Sequence, residues 1–232
     1  MLELSSRLQA VQARIAAAAA AAGRPADAVR LLAVSKTRPA ADIRALHAAG
    51  QRAFGENYLQ EAEAKMAALA DLAIQWHHIG RIQSNKTRAI AQRFQWVHGI
   101  TDEHQARRLS QQRPSGLPPL DVCIQVNVSN EATKSGVAVT TVQTLAQTVA
   151  ALPRLRLRGL MAIPEPAADI AMQRRPFRVL RELSDRLRAA GLELDTLSMG
   201  MSDDLEAAVL EGATIVRIGT ALFGPRPAKP LR

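Results

Sequence analysis

The chain is short of four things, and each shortage excludes something. It has one cysteine, Cys123, in 232 residues, so neither an internal disulfide nor a thiolate metal cluster can form. Aromatic residues total 3%, too few for the stacking platform that single-stranded nucleic acid needs. No uncharged apolar run reaches the roughly 18 residues of a membrane helix, so no membrane partner is expected. Carboxylates are outnumbered, 21 Asp and Glu against 30 Lys and Arg, giving a net charge of +9. Such a balance makes nucleic acid the first partner to consider. The basic residues are scattered, however, and mostly arginine, with no run long enough to form a binding tail. The charge implies that anionic ligands are welcome, and no specific nucleic-acid partner is expected.

What is present is ordinary globular material, 47% hydrophobic and 22% charged. The N-terminal stretch through Ala16–Ala22 has a weak apolar centre interrupted by Glu3, Arg7 and Arg14. An alanine-rich surface helix is therefore expected there, not a signal peptide, and a cytoplasmic location follows.

Two hydrophobic periods alternate along the chain. Short β-branched or apolar runs fall at 31–36, 53–56, 74–79, 96–100, 122–128, 157–163, 196–199 and 214–219. Amphipathic stretches lie between them, and the segments 113–119 and 163–176 look like loops. Eight strands alternating with helices predict a parallel sheet, and eight is the number that closes a (β/α)₈ barrel. An open doubly wound sheet is the rival, but its Gly-rich first turn is missing, since the first turn reads KTRPAA. No linker divides the chain, so residues 1–232 are expected to form one domain of the α/β class, a single TIM-type barrel with an extra N-terminal helix.

Barrels place functional residues at the C-terminal ends of strands and in the loops beyond. That rule selects Lys36, Asn57, His78, Asn127, Met161, Ser198 to Ser202 and Arg217 to Thr220. Alternation puts Leu32, Val34 and Lys36 on one face, so Lys36 points into the mouth if the other two fill the barrel. A lysine there is costly to bury unless paired or chemically used, although a strand-end lysine can also snorkel to solvent. Phosphate sites in barrels use the loops after the last two strands. Those loops carry Ser198-Met199-Gly200-Met201-Ser202 and Arg217-Ile218-Gly219-Thr220. Ser202 also suits an ordinary helix cap, and Arg217 a salt bridge. His77 and His78, adjacent in a strand, point to opposite faces and cannot share a metal. Nucleophile-elbow, Walker A and dinucleotide motifs are absent.

A lysine facing a phosphate cup across a barrel mouth suggests pyridoxal 5′-phosphate (PLP) held as a Schiff base. The segments AVSKT (33–37), FGENYLQEAEAK (54–65) and HHIGRIQSNKT (77–87) resemble the pyridoxal-phosphate homeostasis protein family. So do LRGLMAIP (157–164), LSMGMSDDLEAAV (197–209) and VRIGTALFG (216–224). Members resemble the barrel domain of alanine racemase and ornithine decarboxylase without its C-terminal partner domain. The resemblance implies Lys36 as the Schiff-base lysine and Arg217 facing the pyridine nitrogen. It implies Ser202, Gly219 and Thr220, with Ser198, around the phosphate, and Asn57 near the ring. Lys134 falls where many members carry a second lysine, a secondary aldehyde acceptor.

Three functions compete. The leading one is a non-catalytic, monomeric carrier or buffer of PLP that supports vitamin B6 and amino-acid homeostasis and supplies PLP-dependent apo-enzymes. The alternative is a small PLP-dependent racemase or decarboxylase, which needs an acid/base group on each face of the substrate carbon. Tyr58 is the only tyrosine, and only PRPAKPLR follows Gly224. A nucleic-acid-binding protein is the distant third.

Overall fold

The computed structural model describes residues 2–129 and 135–225, so the expected secondary acceptor Lys134 lies outside the described residues. All eight expected strands form, each within two residues of its expected bounds. They are β1 (Arg30–Val34), β2 (Ala53–Glu56), β3 (Gln75–His78), β4 (Trp96–Ile100), β5 (Leu120–Asn127), β7 (Leu155–Met161), β8 (Thr196–Ser198) and β9 (Ile215–Ile218). A two-residue strand, β6 (Val137–Ala138), adds to β5. Pairing is parallel throughout in the order β4-β3-β2-β1-β9-β8-β7-β5, and β4 also pairs with β5, closing the barrel.

The two-residue period explains which side chains go where. Leu31 and Ala33 join the large core between strands and helices, whereas Leu32 joins Ala53, Trp96, Cys123, Met161 and Ile215 in a separate cluster inside the barrel. The helices are α1 (Leu2–Ala21), α2 (Ala40–Ala48), α3 (Leu59–Ala68), α4 (Thr87–Arg93), α5 (Glu103–Gln112), α6 (Val142–Ala150), α7 (Ile170–Ala189), α8 (Leu205–Leu210) and α9 (Thr220–Phe223). Alanine's high helix propensity carries α1, which buries Leu8, Val11, Ile15, Ala18 and Ala19 along one stripe. Its Arg14 forks onto Glu206, at 2.8 and 2.9 Å, and onto the Ser202 carbonyl at 3.0 Å. The N-terminal helix therefore braces the loop after β8.

Two expectations fail locally. The stretch 163–176 is loop only to Asp169, whose carboxylate caps α7 by accepting from Ala171 and Met172 N–H. Pro176 lies inside that helix and does not break it. The helix α9 was not expected, because four residues display no period.

Candidate functional site

The first strand stops at Val34, two residues before the expected end, and Lys36 sits half-buried in the turn beyond it. That turn is held on both sides. Lys65 Nζ donates to the Ser35 carbonyl at 2.7 Å, to Glu56 Oε1 at 2.7 Å and to Glu61 Oε1 at 2.6 Å. Ser35 Oγ donates to Glu56 Oε1 at 2.6 Å, and Thr37 N–H donates to Glu61 Oε1 at 2.5 Å. Thr37 has φ +64°, a left-handed conformation that a β-branched residue adopts only under constraint. Burial pushes the Glu56 carboxyl above its ordinary pKa, with Lys65 and Ser35 pulling the other way. Sequence reasoning missed this cluster. The available signal was Lys65 itself, which falls on the buried face of α3 with Leu59 and Ala62.

Arg217 is buried on β9. Its guanidinium donates to the Ser198 carbonyl at 2.5 Å, to Ser198 Oγ at 2.9 Å and to the Ala162 carbonyl at 2.9 Å. A polar chain continues down the barrel from Ser198 Oγ to His98 Nδ1 (2.7 Å), then from His98 Nε2 to His77 Nδ1 (2.8 Å) and from His77 Nε2 to Gln75 Oε1 (3.1 Å). Because Gln75 Oε1 can only accept, one assignment with neutral rings satisfies every link: both histidines carry their proton on Nε2, and Ser198 donates to His98. Burial agrees, lowering the His77 pKa to about 3 and His98 well below its ordinary value. Burial also lowers Arg217, to about 10, which leaves it charged at neutral pH. His77 stacks on Trp96 inside the barrel, while His78 meets Phe94 edge-on. The described residues hold no group of three metal-binding side chains.

The loops after β8 and β9 meet. Arg217 N–H donates to the Gly200 carbonyl at 2.9 Å, and Ala221 N–H donates to Ser202 Oγ at 3.2 Å. Ser202 thus ties down the first turn of α9, and Asp204 takes the cap position of α8. Gly200 has φ +94°, and a Cβ there would lie 2.6 Å from the Ala208 Cβ, so glycine is required. Gly219 differs. Its φ is −115°, and an added Cβ would meet nothing closer than the Val34 carbonyl at 3.5 Å. The protein itself has room for a Cβ at Gly219, directly before the N-terminus of α9. Thr220 is exposed beside it.

Asn57 follows β2, half-buried, and its Oδ1 is buried without a hydrogen-bond partner. Gly80 packs so closely on it that a Cβ would lie 2.2 Å from the Asn57 carbonyl oxygen. Lys36, Asn57, Ser198, Ser202, Arg217, Gly219 and Thr220 all lie on or just beyond β2, β1, β9 and β8, four consecutive neighbours in the sheet. Ser198 stands apart from the other six, because its hydroxyl is fully buried against Arg217 and His98. A mouth cavity of about 430 Å³ is lined by Asn57, Gly80, Arg81, Gly99, Gln125 and Ile163, among others. A larger cavity, about 690 Å³, opens at the opposite, N-terminal end beside Arg156, Arg158 and Asp195. The mouth is the functional end in barrels of this kind.

Residues 6–227 of the chain match the family model for the alanine racemase N-terminal domain. The chain is 63% identical over 226 residues to the pyridoxal phosphate homeostasis protein of Pseudomonas aeruginosa, covering 97% of each chain. The chain belongs to the pyridoxal phosphate homeostasis protein family. The structure of PipY from Synechococcus elongatus PCC7942, solved with PLP bound, is 36% identical with a TM-score of 0.84, covering 95% of this chain and 100% of that one. Alanine racemase from Corynebacterium glutamicum shares the fold at 21% identity and a TM-score of 0.70, with 97% of this chain matching 63% of that one.

Proposed function

We propose that this chain binds PLP without turning over amino acids, and that it buffers or carries the cofactor for vitamin B6 and amino-acid homeostasis. The observation that carries this reading is the convergence of Lys36, on its pinned turn, with buried Arg217 and the Gly219 gap at adjacent strand ends. When bound, PLP supplies an aldehyde that an amine can attack. The residues present fit it. Lys36 provides the amine, Gly219, Thr220 and Ser202 provide room and donors for the phosphate, and Asn57 has an unsatisfied oxygen beside the ring position. We assign Ser198 to holding Arg217 in place instead of contacting the phosphate.

Arg217 would face the ring nitrogen as a donor that does not readily release a proton, which would leave a bound ring a weak electron sink. Alanine racemase-like enzymes share that arginine, so the stronger argument concerns Tyr58, the one tyrosine available as an opposite-face acid/base. Tyr58 is 59% exposed just before α3, an open position for an acid/base. An open mouth also suits release to PLP-dependent apo-enzymes. The same barrel serves as one cofactor-binding unit, monomeric and cytoplasmic; no described helix is long and apolar enough to cross a membrane. Many arginines are already engaged by carboxylates, as in Arg44–Asp71, Arg158–Asp195 and Arg181–Glu211, which argues against a nucleic-acid surface. The test is a steady-state assay of the PLP-loaded protein over the common amino acids, following racemisation and decarboxylation. Absence of turnover is expected. Turnover near the enzyme median of about 10 s⁻¹, lost in Lys36→Ala, overturns the carrier reading.

A further inference from the structure

Two segments carry more polar residues than PLP binding uses. FGENYLQ and HHIGRIQSNKT converge on a cavity of about 510 Å³ next to the barrel mouth. Asn57 and Tyr58 line one side, and His78, Arg81, Gln83 and Lys86 line the other. No carboxylate is among its lining residues. Neither Arg81 nor Lys86 forms an ion pair among the described residues. The cavity therefore has two uncompensated cations, which makes it attractive to an anion.

Its wall also has unmet hydrogen-bonding capacity. His78 Nδ1 is buried without a partner. His78 is 2% exposed, and burial lowers its pKa to about 4, so it presents a neutral ring able to donate from one nitrogen and accept at the other. Buried polar atoms are nearly always paired, and an orphan calls for a water, ion or ligand. The volume suits a small molecule.

We propose that this cavity binds a small-molecule oxyanion, a carboxylate or phosphate group, as a second site beside PLP. Asn57, Gly80 and Arg81 line both this cavity and the mouth, and the Asn57 backbone is clamped against Gly80. Occupancy is therefore felt at the cofactor. This coupling rests on the PLP reading; the anion site itself does not.

The test uses PLP-loaded protein, so that the phosphate loop is filled, titrated separately with inorganic phosphate and with succinate at constant ionic strength. Binding is followed by calorimetry and by amide chemical shifts. Saturable binding of at least one probe is expected, with shifts at Gln83 and Lys86, and the responding probe identifies the anion class. Lys86→Gln and Gln83→Ala, which do not line the mouth cavity, are expected to weaken that probe at least tenfold while leaving PLP affinity unchanged without it. No saturable binding by either probe, or equal binding by the variants, overturns the site. A saturating probe that leaves both the visible absorption band and the PLP release rate unchanged overturns the coupling. If the protein takes up no PLP, the cofactor reading fails, and the same comparison of wild type with Lys86→Gln on the bare chain still decides the anion site.

Discussion

Replacing Lys65 by methionine should destabilise the protein in a pH-dependent way. The Lys65 ammonium is the cation facing Glu56, whose side chain is fully buried, and it also ties Glu61 and the Ser35 carbonyl to the Lys36 turn. Removing one partner of a buried pair typically costs about 3–5 kcal/mol, because the remaining charge is stranded. Glu56 already has a raised pKa, and losing Lys65 raises it further. A carboxyl with a raised folded-state pKa binds more protons folded than unfolded, so stability falls as pH rises from the unfolded value toward the folded one. The loss should thus be small near pH 4.5 and reach about 3 kcal/mol by pH 8. Urea unfolding across that range measures it. The double variant Glu56→Gln with Lys65→Met removes both charges and should recover most of the loss at pH 8. A Lys65→Met penalty that is independent of pH, or a double variant no better than the single one, refutes the reasoning. The same single variant should bind PLP more weakly, because the Ser35 carbonyl and Glu61 lose the Lys65 donor that braces the Lys36 turn.

Other outcomes follow from the geometry. Gly219→Ala leaves the fold intact, since an added Cβ meets only ordinary contacts with Val34, but intrudes on the space proposed for the phosphate. It should weaken PLP at least tenfold more than pyridoxal, read by equilibrium dialysis; equal losses refute a phosphate cup there. His77 and His98 are buried neutral, with His77 depressed to about 3. The unfolded chain binds more protons below pH 6.5, so stability is fully present above that pH and falls on acidification toward pH 3. His98→Leu should flatten that acid limb, measured by thermal unfolding between pH 4 and 7.

The sequence made the barrel legible because its strands obey a period of two and its strand ends obey a positional rule. Lys36 was placed on the right strand but two residues too far along it, since the backbone leaves the sheet at Ser35 to satisfy Glu56 and Lys65. The start of α7 was hidden by Pro164, Pro166 and Pro176, which mark loops by composition, whereas the Asp169 cap decides locally. The relay from Arg217 to Gln75 could not be read at all. It joins β9, β8, β4 and β3, and its Ser198–His98 link spans 100 residues of sequence. Only closure of the sheet brings those side chains onto one axis. The convergence of Tyr58 and Lys86 on one cavity has the same origin, in the pairing of β2 with β3.

The most direct test of the central claim is borohydride reduction of the protein after incubation with PLP, followed by peptide mapping of the covalent adduct. A visible absorption band that is bleached by reduction, with one equivalent of label mapped mainly to Lys36, is the expected result. No band, or a label found mainly on another lysine, contradicts the assignment of Lys36 as the residue that holds the cofactor.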